Sequence, residues 1–320
     1  MYLIGRRLGI TLLYLFLVSF LTFSAFRLIP GDAALLSLGT EASQAQIDAL
    51  KEEMGLDKSF AAQYFSWLGS FLSGSAGNSA RFRGEAISKM ILERIPVSVC
   101  LAGLSFLFVI ILALPSSLLS AKRNSLADRI INFLTALNVS IPGFFLGILI
   151  IWILGILLKL FIPGAYVDFR ENPAAFVKYL IFPALAIALP NAALVVKFLR
   201  ASVIRELRSD YARSARSKGG SKAHVLYRHV LKNASLPAIT LLGMIAGEIL
   251  SGSIVIEQVF GIPGIGRLLL ASISARDFPM IQTLMIYIAF AVILANTLAD
   301  IALQIIDPRI RAAEKVSPES

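Results

Sequence analysis

The densest chemical pattern in this 320-residue chain is basic. Between Arg200 and Ser235 lie Arg200, Arg205, Arg208, Arg213, Arg216, Lys218, Lys222, Arg228 and Lys232, against Glu206 and Asp210 alone. Both histidines of the chain, His224 and His229, fall in the same stretch. Cations at this density attract anions, whether lipid phosphates, nucleic acid or the carboxylates of another protein. No reaction centre accompanies them. The sequence contains no GxxxxGK[ST] phosphate loop, so it lacks that means of holding ATP. Its single cysteine, Cys100, sits in an apolar run, which rules out an intrachain disulfide or a cysteine metal cluster and reads as an inert, buried thiol. No catalytic residue, metal set or cofactor is expected.

The elements that must position the basic stretch are membrane spans. Hydrophobic residues make up 57% of the chain and charged ones 16%, with a mean hydropathy of +0.77; soluble domains carry about 25% charged residues. The apolar residues come in runs long enough for helices of about 20 residues to cross the hydrocarbon. Six segments qualify, at about 8–29, 97–120, 131–158, 179–199, 236–256 and 281–306. Lipid offers no partner to N–H or C=O groups, so each run must close its own hydrogen bonds as a helix. Arg6 and Arg7 precede the first run, but the run is too long for a signal peptide and no small-residue cleavage site follows, which predicts an uncleaved span.

Lys and Arg set the orientation. With the N-terminus inside, the cytoplasmic pieces hold eighteen: Arg6 and Arg7, then Lys122, Arg123 and Arg129, ten from Lys197 to Lys232, then Arg309, Arg311 and Lys315. The short outer loops hold five, namely Lys159, Arg170, Lys178, Arg267 and Arg276. Both termini are therefore expected in the cytoplasm. The net charge of +10 is largely this asymmetry and not a nucleic-acid footprint. Pro115, Pro142, Pro183 and Pro190 in or beside spans, and Gly243, Ala246, Gly247, Ser251 and Gly252 in the fifth, fit helices packed in a bundle. In the long first outer loop, 30–96, the segment Ala42–Met54 has near-helical apolar spacing and Gly55-Leu56-Asp57 reads as a turn. Phe60–Leu72, with Tyr64, Phe65, Trp67, Leu68 and Phe71, predicts a short helical cap on the outer face or a surface for a partner.

Residues 201–218 lack Gly and Pro and predict a helix; Gly219 and Gly220 break it, and Ser221 can cap a second helix running to Ala234. A helical hairpin with a double-glycine tip thus enters the cytoplasm. A DNA-reading role fits poorly, because both ends are tethered to spans. Lipid headgroups or a cytoplasmic motor protein are the remaining partners.

Asp210-Tyr211-Ala212-Arg213-Ser214-Ala215-Arg216-Ser217-Lys218-Gly219 resembles the EAA motif of ABC-importer permeases, in the form of the oligopeptide/dipeptide/nickel branch. Arg213 stands where a Glu is widespread in the motif, a departure typical of that branch. Arg228-His229-Val230-Leu231-Lys232-Asn233-Ala234-Ser235-Leu236-Pro237 is similar to its RHxLxNAxLP segment. The resemblance runs through nearly the whole chain. It takes in Leu21-Thr22-Phe23 with Arg27-Leu28-Ile29-Pro30-Gly31-Asp32, Gln63-Tyr64 with Trp67-Leu68, and Gly74-Ser75-Ala76-Gly77-Asn78-Ser79, where Ser75 replaces an acidic residue. It continues through Ser140-Ile141-Pro142, Glu257-Gln258-Val259-Phe260 with Pro263-Gly264-Ile265-Gly266, Arg276-Asp277-Phe278-Pro279 and the tail Asp307-Pro308-Arg309-Ile310-Arg311.

The resemblance implies a B-type transmembrane permease subunit with the type I ABC-importer fold: an all-α membrane protein of six transmembrane helices, a cytoplasmic coupling helix and a long first periplasmic loop. The implied divisions are 1–29 (first span), 30–96 (periplasmic loop), 97–311 (transmembrane core, with the coupling loop at 200–235) and 312–320 (cytoplasmic tail). Asp210, Tyr211, Arg213, Ala215, Lys218, Gly219 and Ser221 would then contact an ATPase subunit. Implied partners are two ATPase subunits that bind ATP and Mg, a second homologous permease in a heterodimer (a homodimer being the other arrangement), a periplasmic or lipid-anchored substrate-binding protein, and membrane lipid, with no nucleic acid. The cargo is a peptide or related small solute; nickel or another metal complex is the alternative, although no histidine of this chain lies on the outer side. A self-sufficient secondary transporter and a purely structural membrane subunit are readings from other classes. Asn138, Asn191, Glu248 and Asn296 are the candidates for the pathway or for interhelical contacts, with Glu248 foremost because an ionisable group inside a span is a functional hypothesis; Asp300 is read as structural.

Overall fold

A computed structural model describes residues 2–28, 43, 45–46, 58–79, 84–121 and 125–306. The expected Ile29–Asp32 motif residues, most of the 42–54 helix, the 55–57 turn, Lys122, Arg123 and the 307–311 tail lie outside that set. Of the 42–54 segment, Ser43 and Gln46 pair as a helix-opening box, the Ser43 N–H donating to Gln46 Oε1 at 2.9 Å.

The described residues form helices α1 (Tyr2–Leu28), α2 (Phe60–Leu72), α3 (Ile87–Ser120), α4 (Leu126–Ser140), α5 (Gly143–Ile150), α6 (Pro173–Glu206), α7 (Asp210–Ser217), α8 (Lys222–Val225), α9 (Leu231–Phe260), α10 (Ile265–Ala275) and α11 (Phe278–Ile306). Extended pairing among them is confined to an isolated antiparallel bridge between Asn78 and Ala86. Four helical stretches are long and apolar enough to cross a membrane: Ile87–Ser120, Pro173–Glu206, Lys222–Phe260 and Phe278–Ala299. The apolar part of α1 described in full is Gly9–Ala25.

The expected span at 131–158 is not one straight helix. α4 and the segment Gly143–Leu157 meet at a 109° bend, a broken span or a re-entrant turn. Pro142 explains the break. It has no N–H to continue the ladder and it pushes Ile141 out of the helical region, to φ −95°, ψ 126°. Pro183 and Pro190 do not break α6, which is packed along its length by α4, α5 and α9 and lined with buried alanines (Ala184, Ala186, Ala188, Ala192, Ala193).

The chain divides into two compact units. One comprises Met1–Ser98 and Pro263–Ile293. In it α2 packs on α1 through rings: Phe20 and Phe23 meet Phe60 and Tyr64 edge-on at 5.4–6.0 Å, and Trp67 lies 5.5 Å from Phe23. Tyr64 is 2% exposed and its hydroxyl pairs with Ser19 Oγ at 2.8 Å. The expected aromatic helix exists, but these rings turn toward α1; Phe65 and Leu72 stay exposed. Further along, buried Ser79 donates to the buried carboxylate of Asp277, whose other oxygen accepts the Met280 N–H at the start of α11. Ser98 Oγ accepts the Ile265 N–H that opens α10.

The other unit comprises Val99–Ile262 and Leu294–Ser320. α6 is its centre, most extensively against α9. Tyr179 fastens one end: its hydroxyl donates to Phe260 O at 2.6 Å and accepts from Gly164 N at 3.0 Å, and Phe161 stacks on Phe182 at 4.1 Å. Tyr179→Phe strands both groups, at a cost of about 1–3 kcal/mol. Faster hydrogen exchange at the Gly164 amide is the expected result, and an unchanged rate would show that the hydroxyl holds nothing.

Candidate functional site

The basic stretch folds as a hairpin in two short helices, and its details differ from the expected pair. The first helix is not continuous over 201–218. α6 ends at Glu206, and Ser209 takes an extended conformation with its Oγ donating to Glu206 O at 2.7 Å. A serine that satisfies the backbone in this way competes with helix continuation. α7 then starts at Asp210. Nor does the second helix stop at Ala234. It begins at α8, widens through a π turn at Leu226–Val230 and passes into α9 across Pro237, so Lys222–Phe260 is one continuous stretch. The far arm of the hairpin is thus the base of a span.

The tip is set by glycine. Gly219 has φ +90°, a conformation that a side chain makes costly, and its N–H donates to Arg216 O at 2.9 Å. Gly220 donates to Ala215 O at 3.2 Å, and a Cβ built on it would lie 2.8 Å from that same oxygen and 3.1 Å from Val225 Cγ2. Ser221 caps α8, accepting the His224 N–H at 3.2 Å. The inner seam is a line of fully buried small apolar residues, Ala212, Val225 and Val230. Opposite it, Asp210, Tyr211, Arg213 and Lys218 are exposed, with Ala215 half-buried between the faces. Arg213 is tied to Asp210 one turn back. Tyr211 donates to Glu206 Oε2 at 2.7 Å. Partial burial raises the Tyr211 pKa, opposed by a hydrogen bond with Asn233 and reinforced by Glu206, so the phenol keeps its proton at neutral pH. Sequence reasoning placed Gly220 in the turn and Ala212 in the motif but named neither as a site residue. Their signal was present in the small residue at the seam position and in the second glycine.

Arg200 is not a free loop cation. It lies inside α6 and donates through Nε and Nη2 to Asp128 Oδ1 at 3.0 and 2.7 Å, and through Nε to Ser120 O at 3.0 Å. Asp128 is 6% exposed, and Asn132 Nδ2 also donates to its Oδ1 at 2.5 Å. One guanidinium thereby joins the end of α3, the start of α4 and α6, six residues before α6 ends.

Two of the four pathway candidates come together. Asn191 on α6 and Glu248 on α9 line one cleft of 390 Å³, with Val139, Phe144, Ile187 and Val255 among its apolar walls. Asn138 and Asn296 are not on that lining. The Asn138 amide donates to Leu134 O at 2.9 Å, and Asn296 sits against Gly247, where a Cβ would collide with it. Among the described residues no three His, Cys, Asp or Glu side chains gather as a metal site. His224 and His229 approach each other at 5.7 Å on the hairpin.

A helical membrane protein with a basic hairpin between two long apolar helices is the class these features define. Residues 110–312 match the family model described as the binding-protein-dependent transport system inner membrane component, and residues 1–102 match the model for the N-terminal part of such membrane components. The chain belongs to that family and is a multi-pass inner-membrane protein. It is 36% identical over 307 residues to a dipeptide transport system permease protein of Lactococcus lactis subsp. cremoris (strain MG1363), covering 96% of this chain and 98% of the relative. It is 33% identical over 296 residues to an oligopeptide transport system permease protein of Bacillus subtilis (strain 168), covering 92% and 94% respectively.

Proposed function

We propose that this chain is the permease subunit of an ATP-driven importer for peptides, forming half of a pathway with a second, homologous permease. α1, the broken pair and the four long helices make six spans with both termini in the cytoplasm. The hairpin at 207–230 docks on an ATPase subunit through Asp210, Tyr211, Arg213, Ala215, Lys218, Gly219 and Ser221. ATP and Mg belong to the two ATPase subunits, and a binding protein delivers the cargo. The observation that carries this reading is the continuity of the hairpin's second arm with α9: a push on α8 passes into the span through an unbroken helical stretch. Rocking of packed helices then alternates access to the pathway. Peptide as cargo is supported by the names of the two relatives.

The test is reconstitution. The chain should co-purify with its second permease and an ATPase pair, and proteoliposomes should hydrolyse ATP faster when a loaded binding protein is added. Uptake by this chain without any ATPase would overturn the reading in favour of a secondary transporter.

A further inference from the structure

Glu248 lies twelve residues before the end of α9, about 18 Å from it at 1.5 Å per residue. A carboxylate at that depth is costly unless it meets water, a cation or a polar partner. Here it is exposed on the wall of the 390 Å³ cleft, and among the described residues it makes no ion pair. The other polar groups nearby share its character. One N–H of the Asn191 amide donates to Ile187 O at 2.9 Å, which leaves the amide oxygen and the second N–H available. Pro190, also on the lining, has no N–H, so the carbonyl of lining residue Ala186 loses its i+4 donor. A carboxylate, an amide oxygen and a released carbonyl are all acceptors. The rest of the wall is apolar, apart from backbone N–H groups where α5 begins at Gly143 and Phe144. One turn from Glu248, Gly252 opens onto the cleft with nothing within 4 Å of a Cβ built on it.

We infer that this cleft is a binding site for the ammonium group of a small solute, with Glu248 as its counter-ion, Asn191 and the Ala186 carbonyl as further acceptors, and the apolar wall receiving an adjoining hydrocarbon side chain. Three acceptor residues on one lining are enough for the three N–H bonds of an ammonium, and the low-dielectric wall strengthens the attraction. Resting on the importer reading, this identifies the part of a peptide recognised within the membrane: its free amino end.

The experiment measures the cleft directly in the complete transporter. Gly252→Cys in a Cys100→Ser background is treated with 2-aminoethyl methanethiosulfonate and with its anionic 2-sulfonatoethyl counterpart. The two rates are normalised to those of a free thiol. The expected result is a preference of about tenfold for the cationic reagent, the effect of one well-placed opposite charge. That preference should collapse when Glu248→Gln is added, and trialanine should slow labelling where N-acetyl-trialanine does not. A preference that survives Glu248→Gln overturns the inference. Inertness to both reagents also overturns it, because the cleft is then filled, as by a basic side chain of the second permease. Wild-type uptake and ATPase stimulation report on the importer reading separately, so either proposal can fail alone.

Discussion

Gly219→Leu is expected to leave the protein inserted and assembled while binding-protein-stimulated ATP hydrolysis falls to its basal rate. Nothing lies within 4 Å of a Cβ built at this position, so leucine meets no wall. The difficulty is the backbone. At φ +90° an L side chain crowds its own peptide, at about 1–2 kcal/mol. The tip can relieve that by shifting φ, which changes the direction in which α7 leaves the turn. A lever only eight residues long cannot absorb such a rotation, and its exposed face is re-aimed. Gly219→Asn, which tolerates the left-handed region better, should retain much of the stimulation. Gly220→Val should fail by another route, since its Cβ meets the Ala215 carbonyl at 2.8 Å. Normal stimulation by Gly219→Leu in proteoliposomes would show that the tip geometry does not matter for coupling.

Arg200→Met is the second large effect. Removing the guanidinium takes the Arg200 charge away from Asp128, 6% exposed, and leaves Ser120 O without that donor. Breaking a pair of this kind costs about 3–5 kcal/mol when both partners are buried. Arg200 is 23% exposed at its side chain, which puts the expected loss near the lower end, about 3 kcal/mol. Asp128→Asn keeps the hydrogen-bonding shape and should cost less. The double variant Arg200→Met/Asp128→Leu should recover part of the loss, because two apolar groups replace a desolvated pair. Thermal unfolding of the purified subunit in detergent, run as a double-mutant cycle, checks this. Strict additivity would show that the two residues do not act together. A functional consequence follows from position. The clamp holds α3, α4 and α6 together just above the hairpin, so its loss should also lower ATPase stimulation while basal hydrolysis by the ATPase subunits persists.

Much of this was legible without a structure because the membrane makes the sequence obey a strict rule. Lipid forces each apolar run to be a helix, so α3, α6, α9 and α11 follow from composition alone. Gly219 and Ser221 were equally legible, since a left-handed tip and an N-cap each have few residue solutions. The break at Ile141–Pro142 was not, because Pro183 and Pro190 offer the same chemistry inside an unbroken helix. What separates them is the packing around α6, which is a tertiary fact. Leu207–Ser209 was missed for a related reason: serine is tolerated in helices and ends one here by a hydrogen bond that no pattern of residue types reveals.

The sequence by itself determined that this is a helical membrane protein with a basic, glycine-tipped hairpin, because hydrophobicity, charge asymmetry and backbone conformation are local or additive properties. Only the tertiary structure decided which polar residues meet. It drew Arg200 out of the loop and onto Asp128, set Ser79 against Asp277 across 198 residues of chain, and placed Asn191 with Glu248 on one cleft while leaving Asn138 and Asn296 off it. Such pairings depend on the rotation of one helix against another, and that rotation is fixed by the packing of side chains far apart in the sequence.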